Sequence, residues 1–136
     1  MNVRFDDLSV MARTVFGEAR GEPHEGRLAV AHVIMNRVRA GGWWGDSVSE
    51  VCLKRFQFSC WNPGDPNRPR LFQIELEDRD LLGCTRACIE ALSGAPDPTG
   101  GATHYHATTM PAQPRWARGR SPDLVIGRHA FYRNVG

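Results

Sequence analysis

Long apolar runs are missing from this sequence. No stretch approaches the ~20 consecutive apolar residues of a membrane helix, so membrane insertion is not expected. A strong charge of one sign is missing too. The net charge is +2 at pH 7, short of the clustered basic face that nucleic acid requires, and no nucleic-acid partner is expected. Lysine is nearly absent: Lys54 stands beside 16 arginines, a ratio that reflects genome base composition. The opening stretch MNVRFDDLSVMAR lacks a cationic segment followed by an apolar run, so it does not read as a secretory signal peptide. Repeats, low-complexity tracts and internal linkers are absent, and 136 residues suit one domain, 1–136, with one core. Paired Cys-x-x-Cys motifs are also lacking, which excludes a zinc ribbon. Cys52, Cys60, Cys84 and Cys88 leave two readings open. One is a bridge from the 52/60 loop to the helix carrying 84 and 88; the other is four small buried hydrophobes.

What is present is ordinary globular composition, 41% hydrophobic and 24% charged, with a clear helical period near the start. Asp6 and Asp7 read as N-caps, followed by Leu8, Met11, Ala12, Val15 and Phe16 at helical spacing to about residue 19. Pro23 opens a second helix that runs to about Arg39 and stops at Gly41-Gly42. Its apolar residues cover most of its circumference, which marks a buried central helix. An aromatic loop, Trp43-Trp44, leads to a short helix over about 48–54. Residues 56–73 read as irregular loop, and a third long helix is expected over about 74–92. Short strands are expected over 102–107 and 131–133. The fold class is α+β, mostly helical with a small β element.

The most informative segment is Phe16-Gly17-Glu18-Ala19-Arg20-Gly21-Glu22-Pro23-His24-Glu25-Gly26. It sets three carboxylates in eight residues, at a glycine-hinged junction between two helices. Glycosidic bond cleavage requires proton donation to a poor leaving oxygen. A carboxylic acid partly buried against apolar side chains can keep its proton for this task. Glu18, at the end of an amphipathic helix beside Phe16, occupies a suitable place. The competing reading is that all three are helix-end charges, favoured by the dipole and by capping.

A second segment, Thr103-His104-Tyr105-His106, alternates along a strand, so His104 and His106 share a face opposite Tyr105. With His129 they make three histidines able to ligate zinc. Structural histidine with substrate hydrogen bonding is the preferred alternative, and neither a metal nor a cofactor is assigned. His32 reads as a core histidine and Asn36-Arg37 as a brace for neighbouring loops. Trp43, Trp44, Trp61 and Trp116 all fall in expected loops, where one or two of them can stack on sugar rings.

Residues 12–23, with Glu25-Gly26 and Ala29–Val38 after them, resemble the opening of the SleB/CwlJ-type cell-wall hydrolases, which include spore-cortex-lytic enzymes. The likeness continues through Val51-Cys52, Gln57–Trp61, Asp97–His106, Trp116 and Ile126–Tyr132, nearly the whole chain. It implies a lysozyme-like fold and cleavage of peptidoglycan between N-acetylmuramic acid and N-acetylglucosamine. The reaction implied is that of a lytic transglycosylase with Glu18 as general acid. The implied substrate contacts are Glu22, Gln57, Tyr105, His106, His129, Trp61 and Trp116. His24 and the histidine-rich 104–106 stretch depart from the spore members and look more like Gram-negative and phage-borne relatives. The expectation is a monomer made in the cytoplasm that reaches the wall after release or export by another system, as in phage lysis or a phage particle. A slightly basic surface suits an anionic wall. Two other functions stand beside this one. One is a zinc-dependent N-acetylmuramoyl-L-alanine amidase using His104, His106 and His129. The other is a non-catalytic peptidoglycan-binding or particle-structural module.

Overall fold

The computed structural model describes residues 5–135. Five α-helices come first: α1 (Phe5–Ala19), α2 (His24–Ala40), α3 (Val48–Leu53), α4 (Arg68–Gln73) and α5 (Arg79–Leu92). The strands β1 (His104–Ala107), β2 (Leu124–Ile126) and β3 (His129–Tyr132) follow. Helix α2 is the central element. Residues Ala29 to Met35 are all buried, His32 included, as the all-round apolar pattern requires. α1 and α5 pack on it and on each other, burying Met11, Val15 and Phe16 from α1 and Leu81, Cys84 and Cys88 from α5.

The three strands form one antiparallel sheet in the order β1-β3-β2. Tyr105 pairs with Phe131, and Ala107 with His129. Side chains alternate across a strand, so Tyr105, Phe131 and His129 share the face turned to the helices, while His104, His106, Ala130 and Tyr132 share the outer face. β2 was not expected from sequence; it is three residues long and lies in the Pro- and Arg-rich stretch.

Three other expectations are corrected. Asp6 and Asp7 lie inside α1 rather than capping it. The buried Asp7 carboxylate instead accepts from the Ser49 backbone N–H (3.0 Å) and hydroxyl (2.6 Å), so it caps α3 from a distance. Ser47 caps the same helix by accepting from Glu50 N–H. The stretch expected as loop over 56–73 contains α4, which has Pro69 in its first turn, buries Leu71, and is tied to α1 by Arg13 Nε donating to the Leu71 carbonyl (3.1 Å). The third long helix begins at Arg79, because the Asp78 side chain accepts from the N–H groups of Asp80 and Leu81 and fixes the start there. All four cysteines are buried free thiols. Burial pushes Cys52 up to about 12 and Cys84 to about 11, so they act as small hydrophobes.

Candidate active site

Glu18 sits in the last turn of α1, and its position depends on the residue before it. A β-carbon on Gly17 would lie 2.6 Å from Cys60 Cβ and 2.7 Å from its sulfur. Lacking one, α1 settles directly on the 3-10 turn Ser59–Trp61. The Cys60 backbone N–H then donates to Glu18 Oε2 (3.3 Å). From the inner face of the sheet the Tyr105 hydroxyl donates to Glu18 Oε1 at 2.6 Å. Burial, with the Glu18 charge beside it, pushes the Tyr105 phenol well above its ordinary range, so the hydroxyl keeps its proton. The partly buried carboxyl therefore has one defined donor on each oxygen, and neither comes from its own helix.

Beside this pair lies a cleft of about 660 Å³. Tyr105, Arg37 and Gln57 line it, and Trp44, His104 and Trp116 form an aromatic wall. Arg37 is 5% exposed. Its Nε donates to the Thr103 carbonyl (2.8 Å), and its guanidinium lies 4.3 Å from the Trp44 ring centre and 4.8 Å from that of Phe58. Two ring faces replace acceptors for a charge taken out of water. Burial lowers its pKa to about 10, against the pull of Tyr105, Cys52 and Glu18, so it stays cationic at neutral pH. Asn36 donates to Asp97 and to the Ala102 carbonyl (2.9 Å each). The Asn36-Arg37 pair thus braces the loop leading into β1, as expected. His104 packs edge-on against Trp44 and Trp116; burial, aided by the Arg37 and Arg120 charges, lowers its pKa to about 4.

The remaining expected site residues divide by place. Gln57, Tyr105 and Trp116 line the cleft. Glu22, 7% exposed, accepts from the Arg128 backbone N–H (2.7 Å) and stands 3.5 Å from His129 Nδ1. It holds the β2–β3 turn, where Gly127 has φ +56° and a β-carbon would meet Glu22 Oε1 at 2.8 Å. His129 lies behind Tyr105, ring to ring at 5.0 Å, and burial lowers its pKa. Trp61 donates its indole N–H to the Thr14 hydroxyl (2.9 Å) and packs on Phe72. His106 lies on the outer face of the sheet. A carbonyl only accepts, so His106 Nδ1 donates to Ala107 O (2.9 Å) and Nε2 accepts from the Tyr132 hydroxyl (2.9 Å). The three-histidine set does not converge. His104 and His106 face outward while His129 faces the helices, because β3 pairs His129 with Ala107 rather than with a histidine.

Six residues lining the cleft were not assigned as substrate contacts from sequence: Phe56 and Val135, Arg37, treated as a brace only, Trp43, and Trp44 and His104, weighed only as a candidate sugar-stacking ring and a candidate zinc ligand. The signal for the last two was their aromatic or imidazole ring in a segment already marked. The contact between them, 5.3 Å between ring centres, is visible only in the fold.

Residues 21–132 match the family model described as Cell Wall Hydrolase. The spore cortex-lytic enzymes of Halalkalibacterium halodurans and Oceanobacillus iheyensis are each 36% identical over 126 residues, 93% of this chain. The match takes in 34% and 41% of those proteins, so the chain spans well under half of their length. Two solved structures are similar over 97% of the chain at 30% identity. They are the catalytic domain of the Bacillus cereus SleB protein (TM-score 0.78, 93% of that chain) and the catalytic domain of the germination-specific lytic transglycosylase SleB from Bacillus anthracis (TM-score 0.77, 98% of that chain). The expected lysozyme-like α+β fold is the fold of these domains.

Proposed function

This chain belongs to the cell wall hydrolase family, and from that premise we propose that it cleaves the glycan strands of peptidoglycan between N-acetylmuramic acid and N-acetylglucosamine by lytic transglycosylation, with Glu18 as the acid. The observation that carries the proposal is the 2.6 Å hydrogen bond from the Tyr105 hydroxyl to Glu18 Oε1 at the edge of an aromatic cleft. Glu18 delivers its proton to the leaving glycosidic oxygen. The carboxylate that forms is met at once by Tyr105 O–H and Cys60 N–H, donors already in place. The C1–O bond breaks through an oxocarbenium-like state, the C6 hydroxyl of the muramic residue bonds to C1, and its proton returns to Glu18. Atoms balance without water, and the product carries a 1,6-anhydromuramyl end.

Among the described residues no Asp or Glu lines the cleft, and Glu18 beside Tyr105 is the carboxyl at its edge, which favours this route over hydrolysis. Hydrolytic glycosidases use two carboxyl groups flanking the bond. Here Glu22 is buried and committed to the Arg128 backbone and the β2–β3 turn. An internal hydroxyl needs no enzyme nucleophile, since proximity replaces the bimolecular step. In this reading Gln57, Tyr105 and Trp116 contact substrate, whereas Glu22, His129, His106 and Trp61 hold the frame.

The test is product analysis of digested peptidoglycan by mass spectrometry with wild type and Glu18→Gln. The amide still accepts from Tyr105 but sets an NH₂ against Cys60 N–H, and it cannot give up a proton. Activity should fall by about 10²–10⁴ with the fold retained. Reducing ends in place of anhydro ends would establish hydrolysis instead, and an active Glu18→Gln would remove Glu18 from the mechanism.

A further inference from the structure

Trp43 is conspicuous for its exposure: 64% of a tryptophan is left in solvent, and among the described residues the other large aromatics are better buried, Phe56 and Phe72 apart. Its backbone is not loose. Gly41, Gly42 and Gly45 have φ of +63°, +58° and +121°, values that glycine adopts readily and other residues rarely. Hydrogen bonds from Trp44 N–H to Gly41 O and from Gly45 N–H to Gly42 O (3.2 Å each) close the turn between them. Trp44 is anchored below by Arg37 and His104, and Trp43 stands edge-on against Trp44 at 5.0 Å. A rigid support thus presents an exposed indole.

The place of this ring matters as much as its exposure. Trp43 and Trp44 line the cleft that Tyr105 also lines, and they line as well a second groove of about 590 Å³. Polar groups from Asp46, Glu50 and Lys54 edge that groove, with the Lys54 ammonium 4.3 Å from the Trp43 ring centre. In the same cleft lining Phe56 shows another exposed ring, 66% in solvent, on a backbone at φ +66°, a strained value for a residue with a side chain. An exposed indole between two grooves, with the Lys54 ammonium over one face and hydrogen-bonding groups beside it, is chemistry suited to pyranose rings: an apolar sugar face stacks on the ring surface left open, and the hydroxyls and acetamido groups find polar partners.

We propose that the Trp43–Trp44 ridge, shared by the cleft and the second groove, is an additional glycan subsite over which the strand passes from the catalytic cleft into the groove of Asp46, Glu50 and Lys54. The proposal rests on the glycan-cleaving reading above. It makes the enzyme select strands longer than the cleft alone can hold.

Peptide-free glycan strands of four and eight sugars are the probes. Wild type should show a KM about tenfold lower for the eight-sugar strand, about the effect of one stacked ring. Trp43→Ala should flatten that difference and Trp43→Phe should restore part of it, with the thermal midpoint of each variant checked because an exposed ring contributes little to stability. A Trp43→Ala enzyme that keeps the full dependence on strand length overturns the subsite. Calorimetric binding of the same strands in the Glu18→Gln background separates this outcome from failure of the reaction. Trp43-dependent affinity without cleavage by wild type sinks the reaction and keeps the ridge. Cleavage with Trp43-independent affinity does the reverse.

Discussion

Tyr105→Phe removes one oxygen from the site and leaves the ring, which packs against Phe131 and His129 at 5.7 and 5.0 Å. The oxygen lost is the donor 2.6 Å from Glu18 Oε1. In the protonated form that the proposed reaction requires, that bond joins two neutral groups and contributes about 0.5–1.5 kcal/mol; once Glu18 is a carboxylate the same bond contributes about 1.5–3 kcal/mol. Only the difference, about 1–1.5 kcal/mol, acts on the barrier. It corresponds to a loss of about five- to thirteenfold in kcat. The hydroxyl is occupied by Glu18, so KM should move little. The assay is steady-state cleavage of a defined glycan strand, with thermal unfolding in parallel. Each kcal/mol lost at the midpoint lowers it by about 4 °C in a domain of this size, and the midpoint should fall by no more than that. A kcat within twofold of wild type would refute a stabilising role for the Tyr105–Glu18 bond. A loss beyond about a thousandfold would refute it from the other side, since a mere stabiliser of the conjugate base has no such leverage.

Gly17→Ala pits helix propensity against a close contact. Alanine gains about 1 kcal/mol in a helix, but its β-carbon would lie 2.6 Å from Cys60 Cβ, and overpacking of that kind costs about 1–3 kcal/mol. Urea unfolding should show net destabilisation, and kcat should fall as the Cys60 N–H is pushed away from Glu18; a variant more stable than wild type and fully active would contradict the packing argument. The histidines set the acid side of the stability profile. Burial lowers the pKa of His32, His104 and His129 below 6.5, in the case of His104 to about 4. The unfolded chain then binds protons that the folded one refuses, so their contribution is full above pH 6.5 and declines as the pH falls from there towards 4. Thermal midpoints should drop between pH 7 and pH 5, and His104→Leu should flatten part of that slope; an unchanged midpoint would contradict it.

The parts of this molecule that local rules can reach were legible in its sequence. Helix α2 shows apolar residues on nearly every side and is buried on nearly every side. Alternation along β1 correctly put Tyr105 opposite His104 and His106. α4 was hidden because its composition, Arg-Pro-Arg, argues for loop, and it holds its shape through the buried Leu71 and through Arg13, 58 residues away in sequence. His129 was grouped with the wrong partners for a similar reason. Its face is fixed by pairing with Ala107, and that register is set by β3 folding back, not by any residue near it. The proposed acid, Glu18, is the extreme case. The motif around Glu18 names the residue, but both groups that hold its carboxyl lie far along the chain, Cys60 at 42 residues and Tyr105 at 87. A glutamate at the end of an amphipathic helix is an ordinary surface charge until a strand from the far end of the chain brings a hydroxyl to it. The chemistry of this site therefore belongs to the α1–β1 approach, and a substitution that shifts the sheet by an ångström should silence Glu18 without touching it.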